Sequence, residues 1–457
     1  MKTWNSFHPK RLMQIFVEAG ILASLLFVAA SGYATTLYWD ANGTTAGFGT
    51  DLTGDWNSSA FWSTSSAGTA TPTVWPGTAT NDVIFSAVDC TADSTVTVQN
   101  VLGSSAVNSV TSKAAAKSVK IQGATSGRVL TMTNAASFNV EDGAAAYDLA
   151  VYVVVAGSAG LNKTGTGAMA LGNANNYYTG ITHIQQGTLY FGNNVIPDSS
   201  AVIIDAGTTL RADGGGRQET VGSIAGAGTL ILKSTAADAQ AFTAGGDNSS
   251  TEFSGPIKSD NATGWFVKTG SGTLTLSGAS TYGQETRVTN GVLIVNGTHT
   301  GGSNYTVYDG ATLGGTGTIT LATITTNVRL VGSDAAHRAK LAPGVAGAGT
   351  LTIANGAGGT NVVFGAYSEL AIDLTGDTVT KLACGAMDLG GTTDYLTINV
   401  TGTRTRSRYV FATYTGSLAG NVFDQVTVTG VSNGKIDYSI PGEIAIIIVR
   451  GTLISIL

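Results

Sequence analysis

The titratable side chains of this chain do not group into patterns typical of catalysis. The four histidines, His8, His183, His299 and His337, stand far apart, and none has a neighbouring set of Cys, Asp or Glu at metal-ligand spacing. A metal centre or a general-base site needs several such groups to converge on one point. We therefore interpret the histidines as solvated or turn residues, and we expect no cofactor.

Carboxylates are the second candidates for chemistry, because cleavage of a glycosidic bond needs two of them at a fixed separation. The aspartates in the middle of the chain are irregularly spaced and mostly adjoin Gly, Ser or Ala, as turn residues do. They are Asp198, Asp205, Asp213, Asp238 and Asp247. This pattern favours a non-enzymatic protein, and a polysaccharide-degrading enzyme stays open as the alternative.

The clearest local set of charges is Arg404, Arg406 and Arg408, which alternate with Thr405 and Ser407. If the segment is a strand, all three guanidinium groups lie on one face. They are candidates for contact with an anionic glycan or lipid headgroup. The interpretation that we favour is a charged strand edge that discourages aggregation.

An internal repeat in the sequence indicates which secondary-structure elements position these side chains. Residues 161–171 return in near-copy as residues 266–276, with Lys163 matched by Lys268, and each copy then leads to a tyrosine and a second glycine turn. Repeated short strands and glycine turns are typical of a stacked solenoid. We expect the two lysines to be solvated charges at strand edges.

Composition agrees with an all-β solenoid. Of 457 residues only 11% are charged and 62 are glycine, which suits many short strands between tight turns better than long helices. The net charge of −6 and the absence of a basic run argue against a nucleic-acid partner. The glycine runs lack the Gly-Lys-Ser/Thr of a phosphate loop.

Residues 1–34 are predicted to be a cleaved signal peptide. Lys2, Lys10 and Arg11 precede an apolar stretch, and small residues lead to a cleavage position after Ala34. The apolar stretch is short for a bilayer, so we expect an exported chain without a stable transmembrane segment after cleavage.

The next unit, residues 35–88, is rich in tryptophan. A solenoid needs a cap over its first coil, and bulky aromatic side chains can cover that end. The alternative is a platform for stacking sugar rings, for which Trp56 and Trp62 are the candidate contacts.

Residues 89–355 are predicted to be the solenoid, with roughly 20 residues per coil. Residues 356–457 are predicted to continue or cap it.

Two further details of this organisation are predicted. The apolar run Ile444–Val449 should be a buried terminal strand, because it is far too short to span a membrane. Cys90 and Cys384 are expected to be buried and unpaired, although a disulfide is permitted in an exported protein.

The repeats, at residues 161–193 and 266–297, resemble the autotransporter-associated β-strand repeat, also called the passenger-associated transport repeat. The first copy matches the pattern at Lys163, Gly165, Gly167, Leu171, Asn176, Tyr177, Thr179, Gly180, Thr182, Gly187, Thr188 and Leu189. The second matches at Lys268, Gly270, Gly272, Thr273, Leu274, Leu276, Thr281, Tyr282, Gly291 and Leu293, but has Gly283-Gln284-Glu285 where the first has Thr-Gly. Residues 340–344, Lys-Leu-Ala-Pro-Gly, resemble a motif found late in such passengers.

This resemblance implies a right-handed parallel β-helix exported to the cell surface or medium. We expect a non-enzymatic scaffold or adhesin that makes multivalent contacts with glycans or cells. The chain shows neither the many amphipathic ten-residue strands of a translocator barrel nor a sorting tail. A passenger that lacks its translocator barrel is therefore a further alternative, and the oligomeric state stays open.

Overall fold

The computed structural model describes residues 35–77, 81–86, 90–99, 105–114, 117–213, 218–232, 240–260, 264–355, 359–420 and 422–449, without the side chains of 134–136, 240 and 360. The predicted signal peptide lies outside these residues. The described part of the chain is all β, with no helix in it.

The strands are short, and in most of them one residue in two is buried. From the N-terminus they are β1 Thr36–Trp39, β2 Gly54–Asp55, β3 Trp62–Ser63, β4 Asp82–Phe85, β5 Ser94–Val98, β6 Ala106–Ser112, β7 Val119–Gly123, β8 Val129–Val140, β9 Leu149–Val151, β10 Val154–Ala156, β11 Leu161–Thr164, β12 Ala168–Leu171, β13 Thr182–Ile184, β14 Thr188–Phe191, β15 Ala201–Ile204 and β16 Thr209–Ala212. They continue with β17 Gln218–Val221, β18 Ser223–Gly226, β19 Thr229–Leu232, β20 Gln240–Ala244, β21 Thr251–Phe253, β22 Ile257–Ser259, β23 Gly264–Lys268, β24 Thr273–Leu276, β25 Ala279–Ser280, β26 Thr286–Val288, β27 Val292–Val295, β28 Thr298–Gly302, β29 Tyr305–Val307 and β30 Thr312–Gly315. The last are β31 Thr318–Leu321, β32 Val328–Leu330, β33 Ala339–Pro343, β34 Thr350–Asn355, β35 Thr360–Phe364, β36 Ser368–Thr375, β37 Thr378–Val379, β38 Lys381–Cys384, β39 Ala386–Asp388, β40 Asp394–Thr401, β41 Arg408–Tyr414, β42 Leu418–Ala419, β43 Gln425–Thr429, β44 Gly434–Asp437 and β45 Glu443–Ile448.

These strands build four sheets that run along the stack of coils. Sheet 1 starts at β1 and reaches β43, sheet 2 runs from β2 to β22, sheet 3 from β17 to β42, and sheet 4 from β25 to β45. Almost all neighbours within a sheet are parallel and come from successive coils, as in β24–β27 and β27–β30. The predicted parallel β-helix is therefore confirmed; its right-handedness stays a prediction.

Alternation in the sequence places the same apolar residue at the same inward position of one coil after another. Six leucines of sheet 1 pair in register along the stack, and all six are buried. They are Leu274, Leu293, Leu313, Leu341, Leu370 and Leu396. Full burial of each side chain contributes about 1.5–3 kcal/mol, so such columns dominate the stability of the solenoid.

One continuous hydrophobic core runs from Leu37 near the start of the described residues to Ile448 near their end. The predicted boundaries at 35–88, 89–355 and 356–457 thus do not correspond to separate cores, and as domain limits they stay predictions. Cys90 and Cys384 are both buried, as expected.

The two ends of the stack differ from its middle. At the first coil β1 pairs in parallel with β4 and antiparallel with β3. At the other end β45 pairs antiparallel with both β41 and β44, and its side chains at 444–446 are buried. The buried terminal strand is therefore confirmed, and the antiparallel hairpin closes sheet 4. None of the described residues forms an apolar helix of membrane-spanning length.

Candidate functional site

The tryptophans of the first coils pack against each other inside the core. Trp56 and Trp62 are 0% and 1% exposed, with ring centroids 4.8 Å apart in an edge-to-face arrangement. Trp62 also lies 4.8 Å from Trp39 and 4.9 Å from Trp75. Because both candidate contact residues are covered, this geometry favours the capping interpretation over a sugar platform; ligand contact by them stays a prediction.

The three arginines do not share a strand face. Strand β41 begins only at Arg408, and residues 403–407 before it are irregular. Arg408 is neutralised by two carboxylates, with Nε 2.8 Å from Asp437 and Nη1 2.7 Å from Glu443. The prediction of a single strand with three aligned guanidinium groups is therefore wrong, because the chain turns before the strand starts.

Arg404 and Arg406 instead line a cavity of about 620 Å³ beside the turn at 430–433 and the end of β45. Arg404 donates to the carbonyl of Gly402, and Arg406 is exposed. Contact of these two residues with an anionic ligand stays a prediction.

The first repeat lysine is buried, contrary to the prediction of a solvated edge charge. Lys163 is 0% exposed. Its ammonium nitrogen donates to three backbone carbonyls, those of Thr164 at 3.0 Å, Gly165 at 2.7 Å and Gln186 at 3.0 Å. Gln186 belongs to the following coil, so one side chain binds two coils together.

The second repeat lysine repeats this arrangement. Lys268 is 1% exposed. It donates to the carbonyls of Thr269 at 2.5 Å, Gly270 at 2.8 Å and Asn290 at 3.2 Å. A lysine buried in this way is held by the turn that it stabilises. We call each such residue a lysine clamp.

Burial lowers the pKa of both clamp lysines from 10.5 to about 8. A carboxylate of the preceding coil, Asp148 for Lys163 and Asp247 for Lys268, acts in the opposite direction. At neutral pH each amine is therefore still protonated and has three donors for its three carbonyls. Alternation could have revealed the burial, since each lysine stands two residues after an inward residue, Leu161 or Phe266.

A second polar pair also recurs in the repeats, and the sequence had not pointed to it. The hydroxyl of Tyr178 lies 2.8 Å from Thr182 Oγ1, and that of Tyr282 lies 2.6 Å from Thr286 Oγ1. Both tyrosines are buried. Each pair thus satisfies two hydroxyl groups at an interior corner of its coil.

The three histidines within the described residues occupy two kinds of environment, and His8 lies outside those residues. His183 bonds to Asp205 at 2.9 Å and His337 to Asp334 at 2.9 Å, both near the surface as expected. His299 is 2% exposed, so the prediction of a solvated or turn residue is wrong for it. Its ring stacks on Tyr282 at 4.0 Å and bonds to the hydroxyl of Tyr305 at 2.5 Å. Burial lowers the pKa of His299 to about 4, which keeps the ring neutral.

The carboxylates with raised pKa are held by the backbone. Burial raises the pKa of Glu219 to about 8, and its two oxygens accept the N–H groups of Val195 and Ile196, each at 3.0 Å. Burial also raises the pKa of Asp394 to about 6. Glu219 therefore ties a corner of the preceding coil. Among the described residues no cluster of three or more His, Cys, Asp or Glu could hold a metal ion.

An open groove lies over the outer face of sheet 2 in the early coils. Its volume is about 520 Å³, and its lining includes Asp93, Lys117, Lys120, Tyr147 and Tyr152 around a floor at Ala150. We call it the tyrosine groove. It combines two aromatic rings with a few charged side chains, and aromatic side chains with a small number of polar groups are common in ligand sites.

The structure defines this protein as a parallel β-helix that contains two lysine-clamped repeats, and comparison with known sequences agrees with it. The profile of the family described as Passenger-associated-transport-repeat matches residues 161–190 and 266–295. The predicted resemblance is thereby confirmed: the chain contains two repeats of the passenger-associated transport type.

A curated relative carries the same indication. The chain is 34% identical over 142 residues to the protein named Adhesin BmaC autotransporter of Brucella suis biovar 1 (strain 1330). The matched part is 30% of this chain and 4% of the relative. The chain thus spans only a small fraction of that protein's length.

Proposed function

We propose that this protein is an exported, non-enzymatic surface protein that acts as a scaffold or adhesin. Two features support the proposal: the passenger-type repeats and the similarity to a protein named as an autotransporter adhesin. The signal sequence predicted in residues 1–34 fits export to the cell surface or the medium.

The observation that carries the proposal is the register of hydroxyl side chains along the outside of the stack. Thr188, Thr209 and Thr229 pair in successive strands of sheet 2 at outward positions. Neighbouring strands are about 4.8 Å apart, so each column presents identical groups at a regular interval. Many weak contacts of this kind add up to useful affinity when the partner is also repetitive, as the glycans of a cell surface are.

The cavities favour binding over catalysis. A glycosidase needs two carboxylates about 5 to 10 Å apart across one site. Among the residues that the structure describes, the tyrosine groove is lined by one carboxylate, Asp93, and the cavity at Arg404 and Arg406 by none. Glu219, whose pKa is raised by burial, is fully buried, and its two carboxylate oxygens accept hydrogen bonds from backbone N–H groups. A polysaccharide-degrading enzyme on this fold is therefore the weaker alternative.

The test uses the exported chain, fluorescently labelled, added to epithelial cells and to bacteria of its own kind. Saturable binding that an excess of unlabelled protein displaces supports an adhesin. No saturable binding to either cell type would reduce the proposal to a scaffold. The proposal that the protein is not an enzyme is tested by incubating it with a panel of polysaccharides and assaying for new reducing ends. Catalytic release of sugar from any of them would overturn that part of the proposal.

A further inference from the structure

We propose that the tyrosine groove binds a short acidic saccharide. This inference rests on the proposed function and deepens it, because it names a ligand class and a place on the surface.

The two tyrosine rings are held in place by residues of later coils. The hydroxyl of Tyr147 donates to Asp213 Oδ1 at 2.6 Å, and the Tyr147 ring meets Tyr190 edge-to-face at 5.0 Å. The ring of Tyr152 covers Gly172, where an added Cβ would lie 2.2 Å from Cε1 of the tyrosine. Rings that are fixed before binding lose little conformational freedom when a ligand arrives.

Both rings also have surface to offer. Tyr152 is 39% exposed and Tyr147 is half-buried, and the two residues lie just outside strand β9, one before its start and one after its end. The apolar face of a tyrosine suits the C–H face of a sugar ring, while its polar tip remains hydrogen-bonded. Between the rings and the opposite wall stands Ala150, whose small side chain leaves the groove open.

The opposite wall is cationic. Lys117 and Lys120 line it, and Asp93 is the one carboxylate among the described lining residues. Asp93 already accepts the backbone N–H of Ser118 at 2.9 Å. Asp213 lies behind the Tyr147 hydroxyl and is not among the lining residues. Two ammonium groups against one lining carboxylate leave the lining with a net positive charge, which favours a ligand that carries negative charge of its own. A volume of about 520 Å³ falls in the range of small-molecule sites, roughly 300–1,000 Å³, and suits an oligosaccharide of a few rings.

The experiment is calorimetric titration of the exported chain with tetragalacturonate and with the neutral galactotetraose. We expect the acidic tetrasaccharide to bind at least tenfold more tightly, and its affinity to fall with added salt. Tyr152→Ala should weaken that binding at least tenfold, and Lys117→Ala with Lys120→Ala should abolish the preference for the acidic ligand. Equal affinity for the two saccharides, or no binding of either, would overturn the proposal.

Matched controls separate this site from the rest of the surface. Tyr177→Ala removes a tyrosine that is 50% exposed outside the groove, and Lys258→Ala removes an exposed lysine farther along sheet 2. Both should bind like the unaltered protein; an equal loss in Tyr177→Ala and Tyr152→Ala would contradict the groove. Gly172→Ala leaves the lining residues intact but displaces the Tyr152 ring, so it should also weaken binding.

Failure of the groove proposal can be distinguished from failure of the proposed adhesin function. If the variants bind cells normally but the acidic saccharide does not bind at all, the groove fails and the adhesin stands. If the chain binds the saccharide but no cell type, the groove stands and the adhesin fails. Circular dichroism and thermal unfolding of each variant confirm that the solenoid is intact.

Discussion

Lys163 and Lys268 make the same three kinds of contact with the backbone although their strands lie in different sheets. The strand of Lys163 is part of sheet 1, and the strand of Lys268 is part of sheet 3. The strand that follows each lysine also moves, from sheet 2 to sheet 1. The second repeat is thus rotated by one face about the solenoid axis. The clamp is therefore a property of the repeat and does not depend on its position around the coil.

The clamp lysines should contribute more to stability than other lysines. Lys268→Met keeps the length of the side chain but leaves three carbonyls without their donor, so we expect a loss of about 3 kcal/mol in the free energy of unfolding. Lys163→Met should behave alike. Denaturant unfolding measures the change, and Lys258→Met on the exposed face is the control. A clamp variant as stable as that control would contradict the role.

Two glycines with the same backbone angle separate strain from crowding. Gly270 and Gly310 both have φ of +68°. An added Cβ would lie 1.7 Å from the carbonyl oxygen of Gly245 at the first position and would touch nothing at the second. Gly310→Ala should cost about 1–2 kcal/mol from the angle alone. Gly270→Ala should cost at least about 2 kcal/mol more, because the coil above must shift. Equal losses in thermal unfolding would show that coils are not stacked this closely.

The tryptophan cap predicts a large effect at its centre and a small one at its rim. Trp56→Ala leaves a cavity in the core and should destabilise the protein by about 3–5 kcal/mol. Val74→Ala, at a side chain that is 52% exposed, should change stability by less than about 0.5 kcal/mol. Proteolysis of the N-terminal coils gives a local measurement, and unchanged resistance in Trp56→Ala would rule out a capping function.

His299 predicts a dependence of stability on pH. Its pKa is about 4 in the folded chain and about 6.5 when unfolded, so the unfolded state takes up the proton first as the pH falls. Stability is fully present above pH 6.5 and should be lost by about 3 kcal/mol as the pH falls towards 4. The difference between the unaltered protein and His299→Gln, measured from pH 7 to pH 4, isolates this contribution. Parallel curves for the two proteins would contradict it.

The positions of the strands and of the glycine turns could be predicted from the sequence. The strand Thr273–Leu276, the glycine turns and the final strand near Ile444 all lie where the pattern predicts them. The predictions for Lys163, Lys268 and His299 are wrong because they rest on side-chain polarity alone, which favours a position in solvent. Their partners, such as the carbonyl of Gln186, come from the next coil and cannot be read locally.

The sequence by itself determined that this is a repetitive all-β chain with one apolar face per strand, because alternation is a property of the strand and needs no distant partner. The tertiary structure decided which inward positions are polar. It also decided that Arg408 is separated from Arg404 and Arg406, and that Tyr147 and Tyr152 line the same groove. Those outcomes depend on how the coils are stacked in register, since each contact joins residues that the chain brings together only after a full turn of the solenoid.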